Sequence, residues 1–172
     1  GEAFYAEYAA VNRGDGWDRM VARYRPHLAL IPLEAERQFG RLLADPAWRL
    51  IALDGVAALF ARGGDADALS AAFEEDMRRR NDPRSATGPR PAPRPTPGVW
   101  SRCFGARHYV WDAVRLGNTF LALGYPEAAR REFARGLAAA GWDEPDLVNG
   151  YRRASERLGL QDEARRWPTP TP

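Results

Sequence analysis

The spacing of apolar residues predicts two helices in the first 62 residues. In the first helix, apolar side chains recur at i, i+3, i+4 and i+7, at Trp17, Met20, Val21 and Tyr24. Pro26 ends this pattern, because proline removes a backbone donor and restricts the residue before it. The second helix covers residues 34–44, with its apolar face at Ala35, Phe39, Leu42 and Leu43. Asp45-Pro46 ends it.

Three short apolar runs, residues 27–33, 48–53 and 56–61, have the length of strands. Asp54-Gly55 separates the last two, which predicts a hairpin with a type I′ turn, since that turn needs positive φ at both central residues. We expect the first two strands to be parallel, joined by a right-handed helical crossover, and the last strand to pair antiparallel. Residues 1–62 are therefore predicted to form a small three-stranded α/β domain.

A connecting helix and a linker are predicted to follow. Residues 63–80 have apolar side chains at helical spacing, acidic residues early and Arg78-Arg79-Arg80 at the end, an order that suits the helix dipole. Residues 81–98 contain six prolines and no apolar residue larger than alanine, so they cannot form a packed core. This segment reads as a linker; a proline-rich ligand for an aromatic groove is the alternative.

An internal repeat lies in the last third of the chain. The segment 123–131 aligns with 158–166 at an offset of 35 residues. The first unit resembles a tetratricopeptide repeat at a set of small and large apolar positions: Leu116, Gly117, Phe120, Gly124, Ala129 and Phe133. Gly117 and Ala129 would let two helices approach closely, while the larger residues fill the space between them. The sequence departs from the repeat pattern at Ala113 and Gly136.

The resemblance implies that residues 99–167 form tetratricopeptide-like helical hairpins, with a tail at 168–172. The predicted fold class is therefore α+β, mostly α. Two hairpins are fewer than the roughly three units that a stable solenoid needs. We expect them to pack on another element, such as the connecting helix 63–80, the segment 100–110, the first domain or a second chain.

The resemblance also predicts a binding groove, formed by the helices that line the concave face of such a repeat. Its residues are Trp111, Arg115, Asn118 and Leu121 from the first unit and Asn149 and Arg153 from the second. Arginine and asparagine here resemble the residues that hold a peptide carboxylate in some tetratricopeptide proteins. Such groups bind a carboxylate through charge-assisted hydrogen bonds. The alternative is a solvated face that binds nothing.

A second resemblance covers residues 1–62. It lies in a loose pattern of aromatic, proline and acidic positions: Tyr24, Leu30, Pro32, Trp48, Leu53, Asp54, Ala57, Phe60 and Arg62. The pattern is similar to the soluble tail of bacterial protein-mannosyltransferase-like membrane glycosyltransferases. The resemblance implies an extracytoplasmic domain, attached to the membrane through a region before Gly1. The catalytic loops of that family are not in this chain, so no catalytic residue is carried over.

The composition limits the kinds of binding site that the chain can form. The 172 residues carry a net charge of +2, and every basic residue apart from the two histidines is arginine. Acidic residues are interleaved with the arginines, which argues against nucleic-acid binding. The alternative is weak binding of nucleic acid or of an anionic surface by residues 78–80, Arg84, Arg90 and Arg94. One cysteine, Cys103, excludes a disulfide framework and a cysteine-rich metal site.

No catalytic site, metal site or cofactor is predicted from the remaining candidates. Cys103, His108 and Asp112 could supply a nucleophile, a base and an orienting group, but a small buried thiol is the simpler interpretation. His27 and His108 have no second histidine at helical spacing, so neither forms a metal pair.

The sequence therefore predicts a non-catalytic module for protein interaction or bracing, whose partner is a protein or peptide or the membrane-embedded region of a parent protein. The alternative is an accessory domain of a glycosyltransferase that contacts a lipid-linked sugar donor or acceptor.

Overall fold

The computed structural model describes residues 2–12, 15–85, 107–140 and 143–167. The predicted linker beyond residue 85, Cys103 and the tail 168–172 lie outside these residues. The contacts within the chain form two compact units, Gly1–Glu74 and Glu75–Pro172. The sequence places a boundary after residue 62, whereas the division between the units falls inside the connecting helix.

The amino-terminal unit contains helices and three strands, in the order α1 (Glu2–Asn12), α2 (Trp17–Tyr24), β1 (Leu28–Pro32), α3 (Glu36–Ala44), β2 (Arg49–Leu53), β3 (Ala57–Ala61) and α4 (Ala66–Arg80), which continues into the second unit. The second unit then has a short 3₁₀ turn (Pro83–Ser85), α5 (Arg107–Ala122), α6 (Pro126–Ala140), α7 (Pro145–Arg157) and α8 (Gln161–Arg165). The predicted fold class, α+β and mostly α, is confirmed. Helix α1 has no counterpart in the sequence prediction.

The three strands form one sheet in the order β1-β3-β2. Strand β3 is antiparallel to both of its neighbours, so β1 and β2 run in the same direction, as predicted. The sequence did not predict that β3 lies between them. This order leaves β1 at one edge of the sheet, because no other described strand pairs with its outer side.

The predicted hairpin between β2 and β3 is present, but its type I′ turn is wrong. Three residues, not two, connect the strands, and Gly55 is not among the described residues with positive φ. The Asp54 carboxylate shapes the turn instead, since its Oδ1 accepts hydrogen bonds from the N–H groups of Val56 and Ala57, both at 2.8 Å. An aspartate side chain can order a turn in this way without positive φ.

One face of the sheet packs on α3. Phe39 of α3 meets Phe60 of β3 edge to face, with 5.7 Å between ring centroids, and Phe60 is fully buried. Trp17 and Trp48 extend this core, with centroids 6.0 Å apart. On the other face, Leu28 and Leu30 of β1 remain exposed.

The carboxy-terminal unit consists of two helical hairpins, α5–α6 and α7–α8, and α6 also packs against α7. The two hairpin turns are alike. Gly124 and Gly159, 35 residues apart, have φ of 83° and 74°. The residue after each glycine donates its N–H back to the preceding helix, Tyr125 to Phe120 (2.8 Å) and Leu160 to Ser155 (2.9 Å). This is the hydrogen bond of a glycine-terminated helix end, so the internal repeat is a repeated turn.

Phe133 of α6 lies between two glycines. A Cβ atom placed on Gly117 of α5 would come within 2.6 Å of the Phe133 ring, and one on Gly150 of α7 within 2.3 Å of it. The ring is fully buried. Because even a methyl group would overlap the ring from either side, both glycines are required for α5 and α7 to approach α6 this closely.

The two departures from the repeat pattern lie against each other. A Cβ on Gly136 would be 2.9 Å from the Cβ of Ala113 and 2.7 Å from Cδ2 of Leu147. Ala113 and Leu147 are buried. A glycine on α6 therefore matches a small residue on α5 and leaves room for a leucine from α7.

Gly150→Ala should lower the free energy of unfolding by about 1–3 kcal/mol, the usual cost of overpacking a core. Gly40→Ala is the control, since Gly40 is an exposed residue of α3 and a Cβ added there would meet no atom within 4 Å. There, alanine should raise the free energy of unfolding by about 0.5–1 kcal/mol, the difference in helix preference. Urea unfolding followed by circular dichroism measures both, and equal responses would contradict the packing.

Candidate functional site

The predicted groove residues lie on α5 and α7, and the structure brings two of them together. Asn118 of α5 and Arg153 of α7 are both exposed. Arg153 Nη2 donates a hydrogen bond of 2.8 Å to Asn118 Oδ1. This bond joins equivalent helices of the two hairpins across a sequence separation of 35 residues.

Trp111 lies about two turns before Asn118 on α5, and Arg115 lies about one turn before it. Their spacing of i, i+4 and i+7 places the three side chains on one face of the helix. The Trp111 side chain is 48% exposed, which is unusual for an indole in a packed helical unit. Arg115 Nη1 lies 3.9 Å from Asp112 Oδ1, an ion pair in which both side chains are partly exposed.

The other two predicted residues contribute less surface. Leu121 is only 5% exposed, so its side chain belongs to the core rather than to the groove. Its backbone carbonyl accepts a 2.6 Å hydrogen bond from Arg157 Nη1, which sequence analysis did not select. Arg157 follows Arg153 by one helical turn, and that spacing is visible in the sequence. Asn149, one turn before Arg153, is half-buried.

A buried charge cluster lies elsewhere in this unit, and the sequence analysis missed it. Glu127 of α6 is 1% exposed and accepts two 2.8 Å hydrogen bonds from Arg130 and one of 3.0 Å from Arg131. The spacing i, i+3 and i+4 is typical of ion pairs along a helix. The burial of Glu127 could not be predicted, because acidic residues are rarely buried unless they are paired.

Tyr151 of α7 connects this cluster to α8. Its hydroxyl donates a 2.6 Å hydrogen bond to Glu163 Oε1 and accepts one of 3.1 Å from Arg130 Nη1. Burial and the bond to Glu163 raise the pKa of Tyr151 to about 12, although Arg130 opposes the shift. The hydrogen bond to Glu127 raises the pKa of Arg130, which keeps it charged. The cluster ties α6, α7 and α8 together and has the character of a structural network.

The segment after α4 also holds α6. Asn81 Oδ1 accepts a 2.8 Å hydrogen bond from the backbone N–H of Glu127 and a 3.4 Å bond from that of Ala128. These are orphan donors in the first turn of α6, so Asn81 acts as its cap from outside the helix. Arg131 Nη2 donates to the carbonyl of Asp82 at 2.5 Å. The two residues that follow the connecting helix thus hold the first turns of α6.

The described residues contain no cluster of three or more histidine, cysteine or acidic side chains that could hold a metal ion. Within the same residues, no helix has the length and apolar character needed to cross a membrane. His108 lies in the first turn of α5, and Cys103 is outside the described residues, so both the predicted small buried thiol and its nucleophile alternative stay untested. The membrane attachment, the extracytoplasmic location and the lack of nucleic-acid binding also stay predictions.

Comparisons with known proteins give no assignment. No family model matches the chain, and neither a curated protein nor a solved structure matches it. The two resemblances therefore depend on the residues named for them.

Tyr151→Phe should reduce the fall in the free energy of unfolding at alkaline pH. The pKa of Tyr151 is raised from 10.0 to about 12 in the folded chain, so unfolded chains lose this proton first. The stabilisation is fully present below pH ~10 and is lost as pH rises through ~12. Urea unfolding at a series of alkaline pH values measures the decline, with Tyr5→Phe as the control because Tyr5 is 74% exposed. An unchanged decline in the Tyr151 variant would contradict this assignment.

Proposed function

We propose that this chain is a non-catalytic interaction module that binds a peptide carboxylate on the exposed face of α5 and α7. We call this face the groove and define it by Trp111, Arg115, Asn118, Asn149 and Arg153. The hydrogen bond between Asn118 and Arg153 is the observation that carries the proposal. It holds an arginine from one hairpin beside an asparagine from the other on an exposed surface.

The chemistry of Arg153 supports a carboxylate ligand. A guanidinium has five N–H donors in a planar fork, and the bond to Asn118 uses one of them. The bond to Asn118 also restricts the rotamers of the Arg153 side chain before any ligand binds. An arginine ordered in advance loses less conformational entropy when a carboxylate binds.

Trp111 supports a peptide as the source of the carboxylate. Its exposed indole lies on the same face as Arg115 and Asn118, about two turns from the hydrogen-bonded pair. Exposed tryptophans are common anchors in protein interfaces, because they bury a large apolar area and keep one donor. A peptide that places its terminal carboxylate at Arg153 could extend toward Trp111.

We also propose that the two hairpins are a minimal tetratricopeptide-like unit. The repeated glycine turns and the close packing of Gly117 and Gly150 on Phe133 support this assignment. In such units, the first helix of each hairpin lines the concave face, and α5 and α7 are the first helices here. Burial of Glu127 against Arg130 and Arg131 would keep the second helix fixed while the groove binds.

A library of short peptides with free terminal carboxylates tests this function. Peptides that bind should lose at least about tenfold in affinity when the terminus is amidated, because a charge-assisted hydrogen bond contributes about 1.5–3 kcal/mol. Arg153→Ala should have a similar effect. Fluorescence anisotropy measures both affinities.

Arg165→Ala is the matched control, since Arg165 is an exposed arginine of α8 that pairs weakly with Asp162 at 3.8 Å and is not in the groove. It should leave affinity unchanged. Equal binding by amidated and free peptides, or equal losses in the two arginine variants, would rule out the groove as a carboxylate site.

A further inference from the structure

A cleft lies along the outer edge of β1 in the amino-terminal unit, far in sequence from the groove. Its volume is about 470 Å³, within the usual range for ligand sites. Side chains of α1 and α2 form one wall, and the start of α3 closes one end. Gln38 of α3 donates a 2.8 Å hydrogen bond to the carbonyl of Val11, which fixes the end of α1 to α3.

The lining of this cleft, which we call the β1 cleft, shows that the backbone edge of β1 forms its second wall. All five residues of the strand, Leu28–Pro32, line it. Side chains of successive strand residues point to opposite faces of a sheet. Five consecutive residues of β1 can therefore line one cleft only if the cleft runs along the edge of the strand.

The hydrogen-bonding groups on that edge follow from the pairing with β3. Arg62 donates its N–H to the carbonyl of His27, and Leu33 donates its N–H to the carbonyl of Val56, both at 2.9 Å. Residues 27 and 33 therefore direct their backbone groups toward β3, and so do 29 and 31 between them. The N–H and C=O groups of Leu28 and Leu30 consequently point into the β1 cleft.

Two prolines limit the open edge to these two residues. Pro26 and Pro32 have no N–H to donate. The carbonyl of Pro26 already accepts a 2.7 Å hydrogen bond from Arg62 Nε, and that of Pro32 accepts a 2.9 Å bond from the N–H of Ala35. The β1 cleft thus presents two donors and two acceptors at strand spacing, and blocks a longer pairing.

The opposite wall defines the character of an occupant. Val11, Trp17 and Met20 supply apolar contacts opposite the strand. The β1 cleft therefore favours a segment with apolar side chains.

We propose that the β1 cleft binds a short, extended, apolar peptide segment of another protein, antiparallel to β1. The antiparallel direction places the amino-terminal end of the peptide at Pro32, because β1 runs from Leu28 to Pro32. The peptide adds a strand to the sheet through four backbone hydrogen bonds, and its side chains contact Trp17 and Met20.

A second copy of this chain fits the cleft poorly. An added strand lies about 4.8 Å from its neighbour. A second β1 would bring its own sheet and helices with it. Those would have to fit beside the helices that line the cleft, whose volume of about 470 Å³ matches a few residues.

N-methylation of a probe peptide tests strand addition in the full chain. The probe is the blocked pentapeptide Arg-Val-Thr-Val-Thr, and calorimetry measures its affinity for the wild-type protein. Its third and fifth residues would lie opposite Leu30 and Leu28, so N-methylation there should weaken binding about tenfold. N-methylation of the second or fourth residue, whose amides point away from β1, should leave affinity within about twofold. Equal effects at all positions, or no binding of the unmethylated probe, would overturn the proposal.

Two protein variants test the same edge from the other side. Leu30→Pro removes one outward donor and should abolish binding, whereas Leu30→Ala keeps the backbone and should retain most of it. If Leu30→Pro does not fold, the N-methylation series on the wild type still decides the question.

Hydrogen exchange gives an independent readout. The amides of Leu28 and Leu30 should exchange quickly in the free protein and become protected when the probe binds, while Ala29 and Ile31 are protected throughout. The proposal would be overturned if Leu28 and Leu30 were protected in the free protein, lost that protection on dilution, and the protein sedimented as a dimer. Those results would assign the edge to a second copy.

Discussion

The packing of one aromatic ring between two glycines determines the carboxy-terminal unit. Phe133 of α6 contacts the backbone of α5 at Gly117 and that of α7 at Gly150, with no space for a Cβ on either side. Two helices can approach this closely where a small residue on one meets a large residue on the other. The positions of α5 and α7, and therefore the pairing of Asn118 with Arg153, follow from this contact.

The buried charges work with that contact rather than replacing it. Glu127 and Glu163 are held by Arg130, and Tyr151 links them to α7. A buried ion pair gives little net stability, but removing one partner is costly, so such a cluster favours one arrangement of the helices. The ring sets how close the helices are, and the charges fix which turns face one another.

Much of this architecture was predictable because it is local. The repeat at an offset of 35 residues predicted the two glycine turns, helical spacing predicted the helix around Phe39, and the tetratricopeptide resemblance predicted the helix around Phe133. Gly150 was not recognised, since its partner is on another helix and the second hairpin keeps little of the repeat pattern. The central position of β3 and the capping of α6 by Asn81 are contacts distant in sequence, which periodicity does not show.

The candidate site, too, was predictable only where its residues are close in sequence. Trp111, Arg115 and Asn118 were grouped by the register of the tetratricopeptide resemblance, and their spacing places them on one face of α5. Leu121 has the same period but is buried, because the packing partners of a helix decide which edge of its face is covered. The open edge of β1 could not be predicted at all, since it depends on where β3 inserts.

A double-mutant cycle between Phe133→Leu and Gly150→Ala tests the central contact most directly. With the ring present, alanine at position 150 overlaps it and destabilises the unit. With leucine at position 133, the same alanine should cost nothing or stabilise, which gives a coupling energy of about 1–3 kcal/mol. An equal cost of Gly150→Ala in both backgrounds would show that Phe133 does not set the distance between these helices.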